Sequence, residues 1–150
     1  MKYLLDTHTF IWAISDYEKL SDKANEIILD VDNEIFVSTV SFGEISLKVR
    51  IGKFNLTGFD IKKVIEYAQN FNCIILKLGA IETSTFSDLE LYENHRDPFD
   101  RMIIWQSIVN DMVLISTDKV FKQYEKNQSH IPSTPHFSAC RRDNVRSRRR

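Results

Sequence analysis

The sequence predicts an α/β sandwich built on a parallel β-sheet. Two observations lead to this fold class. Four short apolar runs, several of them rich in β-branched residues, have the length and composition of buried strands. Between them lie longer segments whose apolar residues recur at helical spacing, and this alternation is typical of a parallel sheet covered by helices. A chain of 150 residues forms one domain by length and can bury a sizeable core.

The first half of the chain supplies two predicted strands and the helices that follow them. A buried strand over residues 2–5 precedes a helical turn over residues 9–14. Ser21 is predicted to cap a helix that reaches residue 29, because a serine hydroxyl accepts a hydrogen bond from a free amide of the first turn. β-branched residues predict the second strand over 35–40, and the next helix is expected to start at Ser41.

The second half repeats this order with two more strands. Asp60 is predicted to cap a helix through residue 68. Pro98 suits the first position of a later helix, with Asp97 as its N-cap, because proline lacks the amide hydrogen that this position does not need. The remaining predicted elements are strands over 73–76 and 112–115 and helices over 80–89 and 118–126.

The end of the chain differs in composition from the rest. Residues 127–150 hold six arginines and one aspartate, so residues 1–126 carry a formal charge of −6 although the whole chain carries −1. We expect one domain over residues 1–126 and a disordered, arginine-rich tail over 127–150, for which a non-native origin is an open alternative. An acidic body excludes binding of nucleic acid by bulk charge, so any such contact is expected to be local or mediated by metal.

Cysteine usage and hydropathy predict a cytoplasmic protein. The two cysteines, Cys73 and Cys140, form neither a disulfide framework nor a metal-ligand pattern, and a reducing cytosol is the default for such a chain. The apolar run before Asp6 is too short for a signal peptide, and no apolar run approaches membrane-spanning length, so no membrane association is expected.

Acidic residues occur where apolar runs end or where helices begin. Asp6 and Asp118 directly follow strands, Glu44 is expected in the first helical turn after a strand, and Asp97 and Asp100 lie at the start of another helix. Ligands of open parallel sheets bind at the carboxyl ends of the strands, so we expect these side chains to converge at one edge. Clustered carboxylates repel one another and favour Mg²⁺ or Mn²⁺, particularly since no lysine or arginine is apparent at these strand ends.

The same residues also suit structural roles. Ser41 and Glu44 fit a capping box, and Asp97 and Asp118 fit plain N-caps. Asp6 is interpreted as a site residue, because neighbouring threonines could meet the capping need of the next helix. Four of the five acids at this predicted edge, namely Asp6, Glu44, Asp100 and Asp118, together favour a site over four separate caps.

Hydroxyl, histidine and basic side chains give weaker signals. Several hydroxyls could orient ligands or water, or could simply end strands: Thr7, Ser38, Ser41, Ser116 and Thr117. The histidines lack metal-ligand spacing; His8 is expected to pack, and His95 is expected at the surface. Lys48 and Arg101 could contact phosphate, but a solvated position is the simpler interpretation.

Five motifs occur in order along residues 1 to about 126: Leu4-Leu5-Asp6-Thr7-His8, Val37-Ser38-Thr39-Val40-Ser41-Phe42-Gly43-Glu44-Ile45, Lys48 with Gly52-Lys53-Phe54, His95-Arg96-Asp97-Pro98-Phe99-Asp100-Arg101, and Ile115-Ser116-Thr117-Asp118. Each motif alone is short, but together they resemble the PIN-domain proteins, and more narrowly the VapC-type toxins of bacterial type II toxin–antitoxin systems. The resemblance implies a three-layer α/β/α sandwich whose central, mainly parallel sheet has four or five strands.

The resemblance also implies a metal-dependent ribonuclease. Asp6, Glu44 and Asp100 would be the invariant acids, with Asp118 as a more variable fourth and Asp97 as a supporting residue. One or two Mg²⁺ or Mn²⁺ ions would be held by Asp6, Asp100 and Asp118, and Glu44 would position water or a second metal. Thr7, Ser41 and Thr117 are the other supporting candidates.

The implied partners are an RNA substrate, a small antitoxin whose C-terminal segment blocks the crevice, and a second copy of the chain in a homodimer. The sequence departs from the family pattern in one respect. The family commonly ends with a short apolar strand after the last helix, and residues 127–150 offer no such strand.

Three other functions compete with a toxin ribonuclease. An aspartyl-phosphate phosphatase also places an aspartate after its first strand, but it needs a second acid two positions later, where this chain has His8, and Lys119 is in the wrong register for the lysine it requires. A receiver-like module would leave Glu44 without a role. A PIN-domain nuclease that acts in RNA maturation stays open.

Overall fold

A four-stranded parallel sheet forms the centre of the part of the chain that this computed structural model describes, residues 1–54 and 60–124. The strands are β1 (Lys2–Leu5), β2 (Glu34–Ser38), β3 (Ile74–Leu76) and β4 (Val113–Ile115), in the order β3-β2-β1-β4. All neighbouring strands are parallel. The predicted arginine-rich tail over 127–150, and with it any fifth strand from that segment, lies outside the described residues.

Helices connect these strands. The α-helices are α1 (Thr7–Ser15), α2 (Asp22–Leu29), α3 (Thr39–Arg50), α4 (Val64–Asn70), α5 (Ala80–Ser84) and α6 (Pro98–Val109). Short 3₁₀ turns cover Tyr17–Lys19, Ile61–Lys63, Phe86–Asp88 and Lys119–Gln123. No helix within residues 1–54 and 60–124 is both long enough and apolar enough to cross a membrane.

Both faces of the sheet are covered because successive strand side chains point to opposite sides. On one face, Leu5 and Val37 pack in a core with Ile45 of α3. On the other face, Leu4 packs with Ile103 of α6. Helices therefore lie on both sides of a parallel sheet, and the predicted three-layer α/β/α sandwich is confirmed.

The carboxyl ends of three neighbouring strands are in register. Leu5 of β1 pairs with Val37 of β2 and with Ile115 of β4. The next residue, Asp6, donates its backbone N–H to the Ile115 carbonyl at 3.1 Å. The residues that follow β1, β2 and β4 thus share one edge of the sheet, as the sequence predicts.

The second strand ends earlier than predicted, at Ser38 rather than at residue 40. The Ser38 hydroxyl accepts a hydrogen bond from the Val40 amide at 2.9 Å and so caps α3, which begins at Thr39. The expected helix start at Ser41 and the capping box of Ser41 with Glu44 are therefore wrong. Glu44 lies in the second turn of α3 instead of the first.

Other boundaries also shift. Helix α1 starts at Thr7, two residues earlier than the predicted turn. The region predicted as a helix over 80–89 divides at Thr85 into α5 and a 3₁₀ turn, and the Thr85 hydroxyl donates to the Ile81 carbonyl at 2.7 Å and accepts a hydrogen bond from Trp105 at 3.0 Å. Asp60 caps a 3₁₀ turn that precedes α4. Ser21 caps α2, and Asp97 with Pro98 begins α6, both as predicted.

Candidate active site

Asp6 is a buried carboxylate at the end of the central strand β1, only 4% exposed. One oxygen, Oδ1, accepts the Thr9 amide at 2.6 Å and caps α1. The other oxygen, Oδ2, accepts a hydrogen bond from the Ser116 hydroxyl. Asp6 itself caps α1, although neighbouring threonines were expected to be able to meet this need, and its two oxygens divide between the helix cap and the Ser116 hydroxyl.

Ser116 joins Asp6 to Asp118. The Asp118 amide donates to the Ser116 hydroxyl oxygen at 3.0 Å, while the Asp118 carboxylate accepts from the Val120 amide at 3.0 Å and caps the last 3₁₀ turn. Asp118 and Thr117 are exposed at the edge of the crevice. Of the hydroxyls in this segment, the structure therefore places Ser116, not Thr117, against a candidate acid.

Glu44 is fully buried at the same edge. Its Oε2 accepts a hydrogen bond from the Thr7 hydroxyl, which is within 3.2 Å of the Ser41 hydroxyl. Its Oε1 contacts the Lys48 ammonium one helical turn later. The expectation that no lysine neutralises these acids is wrong, and so is the solvated position expected for Lys48.

Lys48 also responds to the other acids of the crevice. Burial acts to lower the pKa of Lys48, but the hydrogen bond from Lys48 to Glu44 and the attraction of Glu44, Asp97 and Asp100 outweigh it and raise this pKa overall. Lys48 therefore carries its charge at neutral pH and lies within electrostatic range of acids from two helices, α3 and α6.

Asp97 and Asp100 begin α6. Asp97 caps the helix by accepting the Phe99 amide at 2.9 Å. Asp100, in the first turn, is half-buried and lies 3.5 Å from the His95 ring nitrogen Nε2. Burial first, and then the charges of Asp97 and Glu44, raise the pKa of Asp100 from 3.8 to about 6, although His95 acts in the opposite direction.

Burial is the largest cause of this raised pKa, and repulsion from the carboxylates of Asp97 and Glu44 adds to it. Two unit charges about 4 Å apart interact with about 4 kcal/mol at an effective dielectric constant near 20. A divalent cation among the carboxylates reverses the sign of that interaction, and carboxylate oxygens suit Mg²⁺ or Mn²⁺. The chemistry of the donor set around Asp100 therefore fits such an ion.

The spacing of the side chains does not form a complete metal site. Within residues 1–54 and 60–124, no group of three or more histidine, cysteine, aspartate or glutamate side chains has an arrangement that could hold a metal ion. Asp6 is linked to Asp118 through Ser116, and Glu44 is in electrostatic range of Asp100, but hydrogen bonds from protein donors engage Asp6 and Glu44.

His95 is the site neighbour that the sequence did not reveal. It is 5% exposed instead of lying at the surface, its Nδ1 is 3.1 Å from the Tyr124 hydroxyl, and its ring packs against Phe121. Because these partners come from a segment more than 25 residues later in the chain, local spacing could not predict the burial.

Two other weak candidates also have defined positions. Arg101 donates to the Leu89 carbonyl at 3.1 Å and lies over the Phe86 ring at 5.2 Å, so neither a phosphate contact nor a solvated position describes it. His8 packs against the rings of Trp12 and Phe54, as expected.

Comparison with known proteins decides the family. A family model described as the PIN domain matches residues 3–127. The chain belongs to the PIN domain family. PIN domains are nucleases that generally use divalent metal ions, so the nuclease class of hydrolases is supported for this chain. The resemblance to PIN-domain proteins is thereby confirmed.

A solved structure supports the same fold. This PIN domain is similar to a chain in the crystal structure of VapBC2 from Rickettsia felis bound to a DNA fragment from their promoter. The TM-score is 0.59 with 22% sequence identity, and the match covers 82% of this chain and 92% of that chain. No curated protein sequence matches the chain significantly.

Proposed function

We propose that the chain is a Mg²⁺- or Mn²⁺-dependent endoribonuclease, the toxin of a toxin–antitoxin pair, which hydrolyses RNA phosphodiester bonds. The observation that carries the proposal is the link from Asp6 through Ser116 to Asp118 at the carboxyl edge of a PIN-domain sheet, with Glu44 and Asp100 within electrostatic range of each other. The negative charges of these acids repel a phosphodiester. A divalent cation bound among the acids would supply the positive charge that attracts it.

Each acid has a defined part in this proposal. Asp6, Asp100 and Asp118 would hold the ion, and the ion would supply positive charge to the phosphoryl oxygens and lower the pKa of water. The Thr9 amide and the Ser116 hydroxyl fix the Asp6 carboxylate. Asp118 is exposed, and to bind the ion its carboxylate would have to share or leave the hydrogen bond from the Val120 amide.

Glu44 and its neighbours would orient the attacking water. Thr7 donates to Glu44, and Ser41 lies beside Thr7, so the buried carboxylate keeps one orientation. Asp97 caps the helix that carries Asp100 and adds to the negative charge around it. The proposal therefore has three supporting residues: Asp97, Thr7 and Ser41. Thr117 is adjacent to Ser116, which makes the contact with Asp6.

The proposed partners are an RNA substrate, a cognate antitoxin and a second copy of the chain, in the cytoplasm. The similar solved chain comes from a VapBC2 complex bound to promoter DNA, and this supports an antitoxin partner. The acidic body of residues 1–126 supports RNA contacts that depend on the metal, since bulk charge would repel RNA.

The experiment that tests the proposal is the Asp6→Asn variant. Asparagine keeps an oxygen that can cap α1, and Ser116 can accept from the new amide, so the fold should persist while the charge disappears. The matched control is Asp60→Asn, which changes another aspartate that caps a turn, through the Lys62 amide.

We expect wild type and Asp60→Asn to cleave RNA in Mg²⁺ and to arrest growth on expression, with rescue by the neighbouring antitoxin gene. We expect Asp6→Asn, with an unchanged circular dichroism spectrum, to lose at least 100-fold in cleavage, in line with the loss of a group that binds the catalytic ion. Cleavage by Asp6→Asn at the wild-type rate would contradict the proposal. RNA cleavage without growth arrest would favour a role in RNA maturation.

A further inference from the structure

Lys48 forms an ion pair with one of the candidate acids, Glu44. It follows Glu44 by four residues on α3, the spacing and order at which a glutamate and a lysine on a helix meet most favourably. Its ammonium contacts Glu44 Oε1, and its side chain is only 22% exposed. The same ammonium lies 5.2 Å from the centre of the Phe54 ring, which restricts the side chain further.

This pair differs from a surface ion pair, because Glu44 is fully buried. A buried carboxylate needs both a counter-ion and hydrogen-bond donors to remain ionised. Thr7 supplies a donor at Oε2, and Lys48 supplies the positive charge at Oε1. Glu44 is thus already neutralised by a cation that belongs to the chain.

The Lys48 ammonium occupies the place beside Glu44 Oε1 that a second divalent ion bound to this oxygen would need. Two-metal nuclease sites hold two cations about 4 Å apart between shared carboxylates. The ammonium contacts Glu44, and the charges of Asp97 and Asp100 act on it as well. A divalent ion placed at Glu44 Oε1 would displace Lys48 or lie directly against its positive charge.

We propose that Lys48 is a positioning residue whose ammonium takes the place of a second divalent cation, so that this PIN domain binds one Mg²⁺ or Mn²⁺ ion, on the side of Asp6 and Asp100. The inference rests on the proposed metal-dependent nuclease function. Under this inference Glu44 pairs with Lys48 and orients water. Glu44 then does not bind a second metal, a role that the sequence left open.

The test counts bound Mn²⁺ in the absence of RNA, by calorimetric titration and by electron paramagnetic resonance. Wild type should bind one ion with the six-line spectrum of isolated Mn²⁺. Lys48→Met should bind two, with the altered spectrum of two exchange-coupled ions, because Glu44 is then free to act as a ligand. Lys48→Gln carries the same expectation and keeps a donor for Glu44 if the Met variant does not fold.

Three controls define what Lys48 does. Lys48→Arg keeps the charge and should bind one ion. Glu44→Gln combined with Lys48→Met removes both partners and should return the count to one. Lys53→Met changes an exposed lysine five residues further along the chain and should behave as wild type.

The outcomes separate this inference from the proposed function. Two ions bound by wild type, or a single ion bound by folded Lys48→Met and Lys48→Gln, overturns the role of Lys48 while the nuclease proposal stands on RNA cleavage. A wild-type protein that binds no Mn²⁺ and cleaves no RNA overturns both. A rise from one ion to two on neutralising Lys48, reversed by Glu44→Gln, supports the inference.

Discussion

Replacing Asp100 with asparagine should stabilise the metal-free protein while it abolishes RNA cleavage. Asp100 carries a negative charge beside Asp97 and Glu44 in a half-buried position. Asparagine has nearly the same shape and lacks the charge, so it removes this repulsion. A residue whose loss strengthens the fold and removes activity is one that the chain keeps for function rather than for stability.

The size of the effect follows from the raised pKa of Asp100. A pKa of about 6 in the fold, against 3.8 when unfolded, corresponds to about 3 kcal/mol at full ionisation. Partial exposure and the lost contact with His95 reduce the gain, and we expect Asp100→Asn to raise the free energy of unfolding at pH 7 by about 1–2 kcal/mol. That gain corresponds to about 3–6 °C in melting temperature for a domain of this size.

The pH dependence has a definite direction. The Asp100 carboxyl holds its proton more tightly in the folded protein than in the unfolded chain. The stability that this proton binding contributes to the wild type is therefore fully present below pH 3.8 and is lost as the pH rises through about 6. The difference in the free energy of unfolding between Asp100→Asn and wild type should therefore fall at pH 4.5 to about a third of its value at pH 7.

The assay is urea unfolding in EDTA at both pH values, with Asp32→Asn as the control. Asp32 is an exposed aspartate in the turn before β2, and its loss should leave stability unchanged within about 0.5 kcal/mol. The reasoning is refuted if Asp100→Asn is no more stable than wild type at pH 7, or if its advantage does not shrink at pH 4.5.

Two further predictions concern buried polar groups outside the crevice. Gln106, fully buried, accepts from the Ser38 hydroxyl at the start of α3, so Gln106→Ala should cost about 2–4 kcal/mol in urea unfolding; a loss under about 1 kcal/mol would contradict this. A Cβ at Gly79 would lie 2.5 Å from a terminal carboxylate oxygen of the buried Glu82, which can shift to relieve the contact, so Gly79→Ala should cost only about 0.5–1 kcal/mol. In a Glu82→Ala background the Gly79→Ala loss should largely vanish, and an equal loss there would refute the steric explanation.

The sequence predicts the sheet well because strand formation here depends on local composition. Short apolar runs bounded by polar residues leave few alternatives, and the order of strands and helices determines that the sheet is parallel. Helix ends are harder to predict because several hydroxyls compete for each cap. Ser38 and Ser41 are both suitable for α3, and the earlier one caps the helix.

The candidate site was predictable to the extent that parallel strands bring their carboxyl ends together. Asp6 and Asp118 follow strands that pair directly, and this was visible in the sequence. The Glu44–Lys48 contact also had a signal, the i, i+4 spacing of opposite charges, although its burial depends on the tertiary fold. The burial of His95 could not be predicted, since it requires Tyr124 from the last described turn.

The helix caps made by the candidate acids have a consequence for how the protein can be inactivated. Asp6, Asp97 and Asp118 each use a side-chain oxygen to begin a helix or a turn. Asparagine, serine and threonine fill that role nearly as well without a charge. In the proposed nuclease, single substitutions of this kind should abolish RNA cleavage and leave the fold intact. Among full-length survivors of a selection against growth arrest, we expect such replacements to outnumber core mutations.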